Sequence, residues 1–66
     1  MSIPAEIGQA IRSARRSHSL TQQQLAELAR TTERTVRDIE KGTGASSLDT
    51  VVAVAAAVGV TIGVMR

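Results

Sequence analysis

Cysteine, phenylalanine, tryptophan and tyrosine are all missing from this chain of 66 residues. Without cysteine there are no disulfides and no thiolate metal sites, and the redox compartment is left open. A single histidine, His18, cannot build a metal cluster, so neither a metal nor another cofactor is expected. Without aromatic rings the chain has nothing on which to stack unpaired bases, which argues against single-strand binding and most sequence-specific RNA readout. Long apolar runs are scarce too. Val51 to Val58 is too short to span a bilayer, where roughly 18 or more residues are needed, and extending it to Met65 brings in Gly59, Thr61 and Gly63. The opening MSIPAEIGQ lacks the basic region, apolar stretch and small-residue cleavage site of a secretory signal, so a cytoplasmic protein without a membrane partner is expected. No nucleophile–base pair, phosphate-cradling glycine loop or carboxylate dyad in an apolar setting is visible, and no enzyme activity is expected.

So short a chain is one domain, residues 1–66, and it buries little apolar surface. Such domains usually add a disulfide, a metal or a partner subunit. With the first two excluded, self-association is the remaining way to gain core. The net charge is +2 and the pI about 10.5, a mild pull toward polyanions. Its distribution is more informative. Every Lys and Arg but Arg66 lies between Arg12 and Lys41, whereas from Leu48 to Met65 the only charged residue is Asp49.

Hydrophobic spacing predicts four helices. Ile7, Ala10, Ile11 and Ala14 form one stripe of a helix over about 4–17, with Pro4 in its first turn and Arg15 on the flank of the stripe. Thr21 is a suitable cap for a second helix, with Gln24 at the capping-box position; Leu25, Leu28 and Ala29 are expected to face inward. After Arg30, Thr31 can cap a third helix that places Thr32, Val36, Ile39 and Glu40 on one side and Arg34, Arg37, Asp38 and Lys41 on the other. Gly42 ends it as a C′ glycine does. Ser47 can cap a fourth helix over Leu48 to Val58, stopping at Gly59 and apolar nearly all round, so that more than one side of it needs cover. The tail alternates Val60, Ile62 and Val64 with Thr61, Gly63 and Met65, a strand pattern. A lone strand leaves backbone groups unpaired. The simplest partner is the same strand of a second copy across a two-fold axis. Val54, Val58, Val60, Ile62 and Val64, within a dimerising segment 48–65, are the candidate dimer residues.

The 21–42 unit has two readings. The bland one is a helical hairpin that only packs. The other is a helix-turn-helix, in which the second helix enters the major groove and the first crosses the backbone. The short turn, the long hydrogen-bonding side chains on the outside of the second helix and the flanking cations favour the second reading. Arg can donate two hydrogen bonds to guanine, and Glu can accept one from cytosine N4. Thr21, Gln22 and Gln23 open the first helix of the unit and offer donors to a phosphate. Arg12, Arg16, Arg30 and Lys41 are placed to add sequence-independent attraction to phosphate.

The pattern Leu20-Thr21-Gln22, Leu25-Ala26, Thr32 to Thr35, Val36 and Ile39-Glu40-Lys41-Gly42 resembles the helix-turn-helix of the Xre/Cro family of lambdoid repressors. The likeness continues through Ser47-Leu48-Asp49-Thr50-Val51 and Val58-Gly59-Val60, and it covers about residues 5–60. It implies an all-α, lambda-repressor-like domain of about four helices plus the C-terminal strand. It further implies Gln22 and Gln23 on phosphate, Glu33, Arg34 and Arg37 at or near base edges, Thr32 and Asp38 as secondary candidates, and Thr43 on backbone phosphate. Glu40 lies on the inward side of the third helix, where an isolated carboxylate is costly. In the family, the positions of Arg15 and Glu40 form a partly buried ion pair. The chain departs from the family at Arg30, where a turn glycine is common, and in having a strand-like tail instead of a fifth helix. That ending resembles HipB-type antitoxins. The resemblance implies a homodimeric repressor of double-stranded DNA at a pseudo-palindromic operator, with a HipA-like kinase toxin as a further partner. A phage-type repressor, a restriction–modification controller protein and an interaction module without DNA binding are the alternatives.

Overall fold

Three helices of this protein begin on a hydroxyl. Thr21, Thr32 and Ser47 adopt extended backbone, and each side chain accepts a hydrogen bond from the amide three residues on: Gln24 at 3.0 Å, Thr35 at 3.2 Å and Thr50 at 3.3 Å. Each bond satisfies one of the amides that a helix leaves unpaired at its start. At Thr21 the box closes, because the Gln24 side chain accepts from the Thr21 amide at 2.8 Å. In the computed structural model, residues 3–62 are described. They form α1 (Ile3–Ser17), α2 (Gln22–Ala29), α3 (Glu33–Lys41) and α4 (Leu48–Ala57), with no strand among the described residues. No described helix is long and apolar enough to cross a membrane.

The joint between α2 and α3 explains one difference from the expected boundaries. Arg30 takes the left-handed conformation at φ 57°, and its neighbour's amide, that of Thr31, bonds back to Ala26 O at 2.9 Å. Thr31 is therefore used in closing α2, and Thr32 caps α3 in its place. A left-handed arginine carries a steric cost that glycine avoids, but it completes the same turn. Gly42, at φ 74°, ends α3, and α4 ends at Ala57, one residue earlier than expected.

The core is Ile11, Leu25, Ala26, Val36, Ile39, Val54, Ala55 and Val58. α3 lies between α1 and α2, and α2 also packs on α4. Four expectations are corrected by this packing. Leu28 is 61% exposed and Ala10 is exposed, whereas Ala26 and Gly8 are buried. On α2 the buried stripe runs through Leu25, Ala26 and Ala29, and Leu28 falls about 110° from its centre at 100° per residue. Thr32, expected on the inward side of α3, is exposed ahead of the helix. Val54 and Val58, expected at a dimer contact, are 0% and 3% exposed inside the chain's own core. What α4 leaves open is Leu48, 68% exposed, and Val52, 43% exposed. Val60 and Ile62 are half-buried against the core, with the Val60 amide on Ala55 O at 2.9 Å. Val64 lies outside the described residues.

Candidate nucleic-acid interface

Burying Val36 and Ile39 turns the opposite side of α3 to solvent. Glu33, Arg34, Arg37 and Lys41 are all exposed there, and Asp38 is half-buried. Glu33, Arg37 and Lys41 are spaced four residues apart, so they line one edge of that face. Within this row Arg37 Nη2 donates to Glu33 Oε2 at 3.3 Å, with both side chains close to half exposed. Thr32 and Thr43 stand at the two ends of α3. The Thr32 hydroxyl is 2.9 Å from that of Thr35, and the Thr43 hydroxyl donates to Asp38 O at 3.3 Å.

Beside this face lies a cleft of about 350 Å³ lined by Arg12, Arg15, Arg16, Gln22, Arg37, Glu40 and Lys41. α1, α2 and α3 each contribute to it. Its floor is an ion pair. Arg15 Nε donates to Glu40 Oε2 at 2.7 Å and Nη2 to Oε1 at 3.0 Å, while Nη1 caps Leu20 O at 2.8 Å. The two side chains are only 11% and 3% exposed. The hydrogen bond to Glu40, aided by its charge and opposed by burial, raises the Arg15 pKa above the ordinary arginine value. Gln22 Nε2 donates to Glu40 Oε1 at 3.2 Å, a link that sequence spacing does not reveal because its ends are 18 residues apart. Glu40 thus accepts three hydrogen bonds, from α1 and α2. The other cations of the cleft, Arg12, Arg16, Arg37 and Lys41, outnumber any acid available to them inside it.

The geometry brings Gln22, Arg37 and Lys41 together in the cleft. Glu33 and Arg34 sit on the open face at the start of α3. Gln23 is exposed in the first turn of α2, where the backbone amides have no helical partners. Thr43 stands apart, at the exit of α3. A second, apolar cleft of about 200 Å³ lies between Pro4, Ile7, Ile39, Leu48 and Val51 and holds none of the predicted site residues except Thr43. Among the described residues no group of three or more His, Asp or Glu side chains could hold a metal ion. The helix-turn-helix family matches residues 11–65 of the chain, a span that takes in α2, α3 and α4 entirely. No curated protein matches it.

Proposed function

The chain belongs to the Xre/Cro-type helix-turn-helix family, a family of DNA-binding regulators, and from that premise we propose that it is a homodimeric, sequence-specific repressor of double-stranded DNA. The observation that carries this reading is the division of α3: one side is spent on the core and the other leaves Glu33, Arg34, Arg37 and Lys41 open beside a cationic cleft. Arg34 and Arg37 are the base-edge candidates, while Gln22, Gln23 and Lys41 face phosphate and Thr32 and Thr43 flank the groove.

Replacing Arg34 and Arg37 with alanine tests the reading side of α3. Each specific arginine contact is worth about 1–3 kcal/mol against the wrong base. The expected result in fluorescence anisotropy is a loss of about tenfold or more in operator affinity per residue. Unchanged affinity and unchanged base preference would remove α3 from the account.

The dimer rests on Leu48 and Val52, the large apolar side chains α4 leaves uncovered, and on Val60 and Ile62, half-buried at the end of the described chain. Two copies would present two α3 helices about one helical turn apart on a pseudo-palindrome. In sedimentation equilibrium the wild type should run as a dimer and Val52→Asp as a folded monomer. A wild type monomeric at high micromolar concentration would contradict this. The antitoxin role with a HipA-like kinase belongs to the same proposal; it rests on the tail pattern Val60, Ile62 and Val64. Co-purification with the product of the adjacent gene tests it.

A further inference from the structure

Arg37 belongs to two neighbourhoods at once. It lines the cationic cleft with Arg12, Arg16 and Lys41, and it is held on the open face of α3 by Glu33 through one 3.3 Å hydrogen bond. We propose that Glu33 is a specificity gate on Arg37, and that the base under the start of α3 must offer an amino group to open it. This rests on the DNA-binding reading above.

Three observations lead there. The pair is single-stranded in its hydrogen bonding and about half exposed at both ends, so it exchanges readily with solvent and with competing anions. Glu40, which also lines the cleft, already accepts from Arg15 on both oxygens and from Gln22, and Arg37 bonds to Glu33 and not to Glu40. A duplex brings one negative charge for about every 1.7 Å of its axis, and a phosphate entering the cleft competes directly for Arg37.

Once Arg37 turns from Glu33 to the duplex, drawn in by phosphate charge and settling at a base edge, Glu33 is left with a bare carboxylate, which only accepts hydrogen bonds. In the major groove, cytosine N4 and adenine N6 donate, whereas guanine and thymine present acceptors there. Over an amino-bearing base the released carboxylate finds a partner. Over an acceptor it is stranded beside phosphates, and the cheaper state returns Arg37 to Glu33. Glu33 therefore lowers affinity for arbitrary sequence and contributes discrimination at one position.

The test uses the full chain and a random-sequence duplex library. Sites are selected by the wild type, by Glu33→Gln and by Glu33→Ala, with Arg37→Gln and the Glu33→Gln/Arg37→Gln double variant as partners. Wild-type sites should show one column enriched in cytosine or adenine. Both Glu33 variants should lose that column about fivefold or more while the others persist. They should also bind the unselected library severalfold more tightly, a gain that Arg37→Gln abolishes. A column that survives both Glu33 variants, or a library affinity that does not rise, overturns the gate. If the wild type binds no duplex even at low salt, the DNA-binding reading fails first and takes the gate with it.

Discussion

Replacing Glu40 with alanine is expected to remove a large share of the protein's stability. The Glu40 carboxylate, 3% exposed, is the common acceptor for two Arg15 donors and for Gln22, so it ties α1 and α2 to α3. Removing it strands a guanidinium that is itself only 11% exposed. Breaking such a pair from one side costs about 3–5 kcal/mol. At about 0.05–0.15 kcal/mol per residue a chain of 66 residues has about 3–10 kcal/mol in all, so the substitution leaves little or nothing at the low end of that range and half or more at the high end. Arg15→Met with Glu40→Leu should recover much of the loss, because no charge is then left buried. Denaturant titration followed by circular dichroism checks both. A Glu40→Ala protein with a wild-type midpoint would show the pair to be dispensable. The arginine side of the pair has a defined pH signature. The Arg15 pKa is raised in the fold, so its contribution is fully present below the ordinary arginine value and is lost only in stronger alkali. No change in midpoint from this group is expected across the neutral range.

Gly8→Ala should lower the melting temperature by about 8–16 °C. α1 crosses the end of α3 so closely that a Cβ on Gly8 would run into the carbonyl oxygen of Ile39 and stand 2.9 Å from that of Glu40. Both are backbone atoms of a helix and cannot swing aside. Inserting a carbon into packed structure costs about 1–3 kcal/mol, occasionally more. The helix preference for alanine over glycine returns about 1 kcal/mol at most. Because the obstacle is rigid backbone, the cost lies at the top of that range and the net loss is about 2 kcal/mol, and each kcal/mol lowers the midpoint of a domain this size by about 4–8 °C. Because Glu40 and Ile39 are the residues displaced, operator affinity should fall along with stability. A melting temperature at or above that of the wild type would contradict the close crossing.

Gly8 also shows where sequence reasoning runs out. A glycine adds nothing to a hydrophobic stripe, so periodicity finds Ile7 and Ile11 and passes over the residue that sets the distance between α1 and α3. Leu28 fails in the opposite way. It has the right spacing from Leu25, yet the stripe is centred toward Ala26 and Ala29, and only packing against α3 and α4 fixes that centre. The choice between Thr31 and Thr32 as cap depended on the left-handed turn at Arg30, which propensity disfavours in a non-glycine residue. By contrast, the caps at Thr21 and Ser47, the glycine stop at Gly42 and the inward placement of Val36 and Ile39 were legible, because each depends on neighbours within one or two turns. At the site, the outward row of α3 follows from the same periodicity. The cleft does not, since it joins Arg12, Gln22 and Lys41 from three helices. Because α4 is apolar on every side, its sequence offers Val54 and Val58 to a partner as readily as to the core. The core takes those two and leaves Leu48 and Val52 to solvent.

The central claim is that the outward side of α3 meets a duplex. Titrating isotope-labelled protein with its selected duplex and following backbone amide and arginine side-chain resonances addresses it residue by residue. The account predicts the largest shifts at Glu33, Arg34, Arg37 and Lys41, with a second group at Gln22 and Gln23 where α2 begins. Shifts confined to the apolar cleft around Pro4, Leu48 and Val51, with α3 unmoved, would contradict it.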